Sequence, residues 1–281
     1  MTDGVAAALR LPLPDVTLCC VDTRHPQLAA WALAHARARA DVAEAVLVTD
    51  PAHVDRLQGE GRFRVVPARI ASIAEYSTFM HHGLAAHVPT SHALVVQWDG
   101  LIAHPEAWDP SFLQWDYIGA PWPGADPARA VGNGGFSLRS RRLLQALLDP
   151  EIRPEHPEDV SICVTHRRRL EQHHGIRIAP LEVAERFAYE RTRPPGRTFG
   201  FHGAHNLHRE LDAAELLDFL RDLPPGLTRT KEAVDLCRAL IDAGRFDEAA
   251  LVIDKRRRIG LHGSRTLRLA LRLAWARMRR R

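Results

Sequence analysis

Two short stretches, residues 94–100 and 199–203, contain residue types that could form a catalytic or metal-binding site. In the first, an apolar run ends in Asp99 and Gly100, where a buried parallel strand would meet solvent. Ligands of open α/β sheets bind at such strand ends. A carboxylate there can hold a divalent metal, and His202 of the second stretch can complete the site. Together the two stretches indicate an enzyme that handles a diphosphate-bearing substrate.

Each of these features also has a plainer interpretation. Asp99, helped by Gly100, is typical of a residue that caps the next turn or helix. A lone histidine such as His202 is more often structural than a ligand. The glycine-rich segment 132–135 either lets the backbone approach a ligand closely or forms a tight hairpin turn. Its spacing matches neither a dinucleotide-binding fingerprint nor a phosphate-binding loop.

Glu158 and Asp159 follow a proline at a predicted helix start. Acidic residues are common there because they interact favourably with the helix dipole. The alternative is catalytic: one carboxylate would act as a general base, and its neighbour would orient an incoming hydroxyl. Four tryptophans could stack on sugar faces, although core packing is their usual role; they are Trp98, Trp108, Trp115 and Trp122.

Predicted strands and helices alternate in the part of the chain that would position these residues. We predict strands at 16–21, 45–50, 64–67 and 93–96, and helices at 27–40, 72–87, 140–148 and 156–170, while 176–179 could form a short strand. This alternation is typical of a doubly wound, mostly parallel α/β sheet flanked by helices. A Pro-Pro-Gly boundary and three predicted helices follow, so we expect one domain over residues 1–223 and a helical appendage over 228–281.

Composition excludes some classes of protein. The chain has 281 residues, of which 46% are hydrophobic and 26% charged, as in ordinary globular proteins. The net charge of +4 combines about +9 from residue 228 onward with about −5 before it, which argues against a nucleic-acid enzyme with a basic cleft. Four cysteines without disulfide or zinc spacing, and no signal-peptide or membrane-spanning pattern, predict a cytoplasmic protein.

Seven motifs occur in an order that resembles a bacterial and fungal family of uncharacterised glycosyltransferase-like domains, over residues 16–207. They are residues 22–26, 76–79, 97–100, 116–122, 131–139, 157–160 and 199–203. The layout is also similar to inverting glycosyltransferases of GT-A fold, such as the β-1,3- and β-1,4-galactosyltransferases. That resemblance implies a GT-A-like, Rossmann-like α/β fold, a metal-binding acidic motif, a glycine-rich loop, a Glu-Asp pair and a late histidine.

The resemblance also implies residue roles. Asp99 would be the last acid of an Asp-any-Asp motif and a metal ligand, with His202 as the late metal ligand. Asp159 would be the catalytic base, and Glu158 would help to hold the acceptor. The remaining implied positions contact the donor: Gly134 and Gly135 line the sugar, and Thr23, Asp50 and Tyr76 lie near the nucleotide. One position departs from the motif, because Gln97 replaces its first acid and cannot supply that charge.

The activity implied is transfer of a sugar from a nucleotide donor, with UDP as the expected carrier, to an acceptor hydroxyl. The mechanism implied is a single in-line displacement with inversion, assisted by Mn²⁺ or Mg²⁺. The acceptor would be a glycan or a lipid-linked molecule, and no nucleic acid is expected as a partner. A non-catalytic nucleotide-sugar or glycan binding module is the alternative that Gln97 keeps open. A metal-dependent phosphohydrolase is less favoured, because the expected cluster of acids is missing.

The predicted last helix, residues 264–278, has an apolar face beside a row of arginines. One interpretation is a helix that packs on the preceding hairpin and exposes a solvated basic face. The other is peripheral contact with an anionic membrane at its inner face, where lipid-linked acceptors reside.

Overall fold

The computed structural model describes residues 10–58, 63–192, 194 and 196–279. Contacts between residues divide the chain into two compact units, Met1–His202 and Gly203–Arg281. The first unit contains both β-sheets, and the second is helical. The helix Ala213–Asp222, which the sequence interpretation assigned to the first domain, belongs to the second unit.

The strands and helices of the first unit alternate along much of the chain. The strands are β1 (Leu11–Val21), β2 (Ala40–Thr49), β3 (Arg64–Pro67), β4 (His92–Val96), β5 (Gly100–Ile102), β6 (Tyr117–Gly119), β7 (Phe136–Ser140), β8 (Ala188–Tyr189) and β9 (Gly200–His202). The helices are α1 (Pro26–Arg39), α2 (Val54–Gln58), α3 (Ile73–Thr78), α4 (Arg141–Ala146), α5 (Glu158–Val160), α6 (Arg167–His174) and α7 (Leu181–Phe187). Short 3-10 turns lie at Pro51–His53, Leu84–His87, Pro105–Ala107, Pro110–Gln114 and Pro127–Arg129.

A six-stranded sheet with the order β3-β2-β1-β4-β7-β6 forms the centre of this unit. Strands β3, β2, β1 and β4 run parallel, whereas β7 is antiparallel to both of its neighbours. The predicted α/β fold with a mostly parallel sheet is therefore confirmed. Buried strands of such sheets are apolar on both faces because other elements cover both sides.

Strand β1 illustrates this two-sided burial. Its side chains alternate between faces, so Leu18 and Cys20 belong to one apolar cluster while Cys19 and Val21 belong to the other. Helix α1 contributes Leu33 to the cluster that contains Leu18. All four cysteines are buried and free, so the adjacent Cys19 and Cys20 are core residues and do not form a disulfide.

A second, three-stranded sheet has the order β5-β9-β8. Strands β5 and β9 are antiparallel, and their register pairs Gly100 with His202 and Ile102 with Gly200. Strand β8 runs parallel to β9 on its other side. The pairing of β5 with β9 therefore brings the end of residues 94–100 next to the end of residues 199–203.

Two segments that we expected to be single helices are interrupted. Helix α3 continues into a π-helical turn, Phe79–Gly83, and α5 continues into another, Ser161–Thr165. Apolar periodicity does not distinguish these hydrogen-bonding patterns, and single π-helical turns are frequent at functional sites. Residues 176–179, which could have formed a strand, contribute an isolated bridge between Ile178 and Tyr117.

The second unit consists of helices α8 (Leu207–Glu210), α9 (Ala213–Asp222), α10 (Lys231–Asp242), α11 (Phe246–Arg258) and α12 (Ser264–Arg279), with 3-10 turns at Ala204–Asn206 and Pro225–Arg229. Helices α10, α11 and α12 pack against one another through buried residues such as Leu240, Val252 and Leu269. The predicted C-terminal helical region is confirmed. Within the described ranges, no helix has both the length and the apolar composition that crossing a bilayer requires.

Candidate functional site

Asp99 and His202 lie next to each other, as the sequence predicted. The pairing of Gly100 with His202 in the small sheet brings the two side chains together from distant parts of the chain. Asp99 Oδ1 is 3.4 Å from His202 Nε2, and Asp99 is only 5% exposed. A buried carboxylate beside an imidazole is a pair of groups that can bind a cation or exchange a proton.

Gln97 joins this pair to the end of the main sheet. Its Oε1 atom is 3.3 Å from His202 Nε2, and its Nε2 atom donates to the Tyr76 hydroxyl over 3.2 Å. The backbone N–H of Gln97 donates to the carbonyl oxygen of Gly135 over 2.8 Å. The amide therefore presents its oxygen to the histidine, where the Asp-any-Asp motif would present a carboxylate.

Acidic side chains lie around His202. Burial alone would lower the pKa of His202, but the carboxylates of Asp99, Glu190 and Asp159 together raise it above the usual range of histidine. Asp159 therefore lies within electrostatic reach of His202, although its own carboxylate also accepts a bond from the Val160 N–H over 2.9 Å. The carboxylate of the predicted base therefore contributes to the electrostatic potential at one predicted metal ligand.

Glu190 is a neighbour of this site that the sequence did not reveal. Its Oε1 atom is 4.0 Å from His202 Nδ1, and its Oε2 atom accepts a hydrogen bond from Asn133 Nδ2 over 2.9 Å. Glu190 directly follows strand β8, and the parallel pairing of β8 with β9 positions it. Since β8 has only two residues, its sequence gave no strand signal that could have placed Glu190 here.

The glycine-rich segment contacts both sides of the site. A Cβ atom on Gly135 would overlap the His202 imidazole, and one on Gly134 would overlap the Glu158 carboxylate. Asn133, the residue before them, has a positive φ of 62°. Gly134 and Gly135 are thus glycines because the chain passes directly against these two side chains.

Glu158 is held in the core by Arg139, a residue that we did not predict for the site. Its Oε1 atom lies 3.0 Å from Arg139 Nη2, and Arg139 is fully buried. The same guanidinium contacts the carbonyl of Gly134 at 3.4 Å and lies over the Tyr117 ring at 5.4 Å. The sequence did offer one sign of this pair: Arg139 is a charged residue within the buried strand β7, and buried charges are normally paired.

A cavity of about 340 Å³ opens beside these residues. Four of the predicted site residues line it: Thr23, Tyr76, Gln97 and Glu158. The remaining walls come from the loops after β1 and β3, the α3 start, Trp98 and His156, and include Asp22, Arg24, His25, Ile70, Ser72 and Ile73. Such a cavity, at the carboxyl ends of parallel strands, is where this class of sheet binds ligands.

Thr23 and Asp50, both expected to lie near the nucleotide, differ in their surroundings. The Thr23 hydroxyl donates to the Ile70 carbonyl over 2.8 Å and so ties two walls of the cavity together. Asp50 is not among the residues that line the cavity; its carboxylate accepts from the Ala52 N–H over 2.9 Å and caps a 3-10 turn. Of the tryptophans, Trp98 lines the cavity, whereas Trp122 is partly buried against the core and Gly132.

The side-chain oxygen of Asp99 and the ring nitrogen of His202 could serve as part of a ligand set for a divalent metal. Among the residues that the structure describes, no group of three or more His, Cys, Asp or Glu side chains is arranged to hold a metal ion. Asp99 and His202 nevertheless offer one carboxylate oxygen and one imidazole nitrogen side by side. Cations such as Mg²⁺ and Mn²⁺ commonly take few protein ligands and complete their shell with phosphate oxygens and water.

The chain belongs to a family described as "Protein of unknown function (DUF5672)", whose profile matches residues 62–202. The matched segment contains Tyr76, Gln97, Asp99, Asp159 and His202. The search of curated proteins found no match.

Solved structures that resemble the chain include three glycosyltransferases. A mannosyltransferase from Pyrobaculum calidifontis in complex with GDP-Man and Mn²⁺ is 16% identical, with a TM-score of 0.39 over 94% of this chain and 81% of that chain. A glycosyltransferase involved in glycosylation of the major capsid of the virus PBCV-1 is 12% identical, with a TM-score of 0.42 over 67% and 92%. Glucosyl-3-phosphoglycerate synthase from Mycobacterium tuberculosis, in complex with Mn²⁺, UDP and its product, is 10% identical, with a TM-score of 0.33.

The last of these matches covers 46% of this chain and 57% of the synthase, so little more than half of that enzyme has a counterpart here. Identities of 10–16% and TM-scores of 0.33–0.42 transfer neither a substrate nor a residue role.

Proposed function

We propose that this protein is a glycosyltransferase of GT-A-like fold that uses a nucleotide-sugar donor and a divalent metal. One observation carries the proposal: Asp99 Oδ1 and His202 Nε2 lie 3.4 Å apart beside the cavity, and the charge of Asp159 reaches the same histidine. The UDP carrier is the one that the sequence resemblance implies. The acceptor proposed is a glycan or a lipid-linked molecule.

In this proposal the cavity takes the nucleotide part of the donor. Tyr76 and Thr23 lie on its walls, and the Gln97 side chain connects the cavity to His202 through two hydrogen bonds. Asp99 and His202 would hold the metal, whose positive charge stabilises a departing nucleoside diphosphate. Gly134 and Gly135 are proposed to line the sugar with their backbone, because this segment passes directly against Glu158 and His202.

Asp159 is proposed as the general base. It would take the proton from an acceptor hydroxyl as that oxygen bonds to the anomeric carbon and the bond to the diphosphate oxygen breaks. A single displacement of this kind inverts the anomeric configuration. Glu158 is proposed to position the acceptor side of the site, because its link to Arg139 fixes the start of the helix that carries Asp159.

The deciding experiment measures binding and transfer separately. Thermal shifts with UDP-sugars and GDP-sugars, with and without Mn²⁺, would identify the donor, because a ligand of the native state raises its apparent stability. Release of nucleoside diphosphate would then report turnover in the wild type and in Asp159→Asn. We expect Asp159→Asn to bind the donor normally and to lose transfer by about 100-fold or more. Normal turnover in that variant would remove Asp159 from the role of base.

A non-catalytic nucleotide-sugar binding module is a second candidate, and Gln97 favours it. Its amide oxygen faces His202, so this side of the site carries less negative charge than an Asp-any-Asp motif would provide. Donor binding without any diphosphate release, across a panel of acceptors and with Mn²⁺ present, would support the module and contradict the enzyme.

A further inference from the structure

Helix α12 has a second apolar face that the described residues of its own unit leave exposed. Its buried side is formed by Thr266, Leu269 and Leu273. Four large apolar side chains lie on the opposite side with more than half of their surface exposed: Leu267 at 56%, Leu271 at 60%, Trp275 at 51% and Met278 at 66%. Their spacing of four, four and three residues aligns them along one side of the helix. We call them the apolar stripe.

A basic row borders the apolar stripe. Helix α12 contains Arg265, Arg268, Arg272, Arg277 and Arg279 and no acidic residue. At 100° per residue, all of these except Arg277 fall within a narrow sector between the apolar stripe and the buried side. The guanidinium of Arg279 lies over the Trp275 ring at 3.6 Å, which couples the basic row to the apolar stripe.

The basic row also forms one wall of a cavity of about 520 Å³. It is lined by Arg238 of α10 and by Ser264, Arg265, Arg268, Leu269 and Arg272 of α12. Arg238 pairs with Asp235 and Arg272 pairs with Asp242, and the side chains of both arginines are about half exposed. Four guanidinium groups around one cavity are a natural site for a phosphate group, since arginine binds phosphate with paired N–H donors.

We propose that α12 docks this protein onto an anionic membrane surface. The apolar stripe would enter the region between lipid headgroups and acyl chains, and the basic row and its cavity would bind lipid phosphates. Tryptophan next to arginine suits that boundary, because the indole ring has both an apolar face and a polar N–H. The inference is independent of the proposed transferase activity, although a lipid-linked acceptor would be found at the same surface.

A second copy of the chain is the competing occupant of this face. Asp242 of α10 already compensates Arg272, but two α12 helices brought together along the apolar stripe would still place Arg265, Arg268 and Arg279 of each copy side by side, and α12 has no acidic residue of its own. Like charges in close contact destabilise such an interface. An anionic bilayer provides negative charge opposite the arginines of α12. Charge complementarity therefore favours a membrane over a second copy of the chain as the partner of this face.

Flotation of the full chain with lipid vesicles tests the proposal. We expect the protein to float with vesicles of phosphatidylcholine plus phosphatidylglycerol, to stay unbound with phosphatidylcholine alone, and to be released as salt is raised. Leu271→Ser combined with Trp275→Ser should lower the bound fraction at least about tenfold, because apolar insertion is lost. These positions are exposed, so the thermal midpoint should remain near that of the wild type.

A charge-matched pair of variants separates specific docking from general attraction. Arg265→Glu with Arg268→Glu should abolish flotation. Arg221→Glu with Arg258→Glu makes the same change in net charge at exposed positions of α9 and α11 and should leave flotation intact. Equal loss in both variants, unchanged flotation of the stripe variant, or no flotation of the wild type would overturn the proposal. So would a wild-type dimer, seen by light scattering, that the stripe variant converts to a monomer.

Discussion

The Glu158 carboxylate lies 3.0 Å from the guanidinium of Arg139, and both side chains are buried. This ion pair connects the helix that carries Asp159 to strand β7 and to the glycine-rich segment. Removing one partner of such a pair leaves an uncompensated charge in a medium that solvates it poorly. The site therefore depends on this ion pair to keep the helix, the strand and the glycine-rich segment in place.

Breaking the Glu158–Arg139 pair should destabilise the fold severely. We expect Arg139→Met to lower the free energy of unfolding by about 3–5 kcal/mol, measured by urea denaturation. The double variant Arg139→Met with Glu158→Leu should recover part of that loss, because no charge is then left unpaired. Strictly additive effects of the two substitutions would contradict a direct coupling between them.

Gly135→Ala should disrupt the proposed metal-binding pair, Asp99 and His202. The added methyl group would overlap the His202 imidazole, which must then move away from Asp99. We expect the affinity for Mn²⁺, measured by electron paramagnetic resonance, to fall about tenfold or more. Gly226→Ala is a matched control, because a Cβ there meets no atom within 4 Å. Equal Mn²⁺ affinity in both variants would place the metal elsewhere.

Gln97→Glu should strengthen cation binding. The substitution keeps the shape of the side chain and puts a carboxylate where the amide oxygen now lies, 3.3 Å from His202 Nε2. We expect Mn²⁺ affinity to rise about tenfold, which corresponds to about 1.4 kcal/mol. A competition titration with a metal indicator would measure it, with Gln97→Leu as the uncharged comparison. An unchanged or lower affinity in Gln97→Glu would show that Gln97 does not face the cation.

His35 should make the stability of the first unit sensitive to acid. Burial, with a smaller contribution from Arg39, lowers the pKa of His35 from 6.5 to about 3 in the folded state. The unfolded chain therefore binds a proton first, so this stabilising contribution is complete above pH 6.5 and declines as the pH falls toward 3. The loss over that range should be on the order of 3 kcal/mol.

Thermal or urea unfolding of His35→Leu at a series of pH values would measure the His35 contribution. The ring lies against Trp31 with centroids 5.5 Å apart, so leucine keeps an apolar contact there. The difference between wild type and variant should decline as the pH is lowered, because the variant has no proton to bind at this position. A difference that does not change with pH would contradict the assignment.

The main sheet could be predicted from the sequence because its strands are apolar runs in regular alternation with helices. The Asp99–His202 pair also could be predicted, first from residue types that can bind a metal and then from the motif order that resembles a family. Nothing in residues 100–102 or 200–202 by themselves indicates that these three-residue strands pair with each other. Strands of that length carry too little periodicity to be recognised, and their pairing depends on the tertiary fold.

The same limit explains the residues that we missed. Glu190 enters the site because a two-residue strand pairs with β9, and Arg139 because a buried glutamate compensates its charge. The expected helices at 72–87 and 156–170 are interrupted by π-helical turns for which the apolar pattern gave no sign. The sequence therefore indicated that Asp99 and His202 are neighbours, but it did not indicate the short strands whose pairing brings them together.

The antiparallel ladder that pairs Gly100 with His202 has an evolutionary consequence. Loops between Ile102 and Gly200 that do not contact His202 can gain or lose residues without separating the imidazole from the carboxylate, provided that the ladder keeps its alignment. A displacement of β9 by a single position would rotate the histidine to the reverse side of the small sheet. The loops near this ladder should therefore accept insertions, whereas β5 and β9 should accept no change in their register.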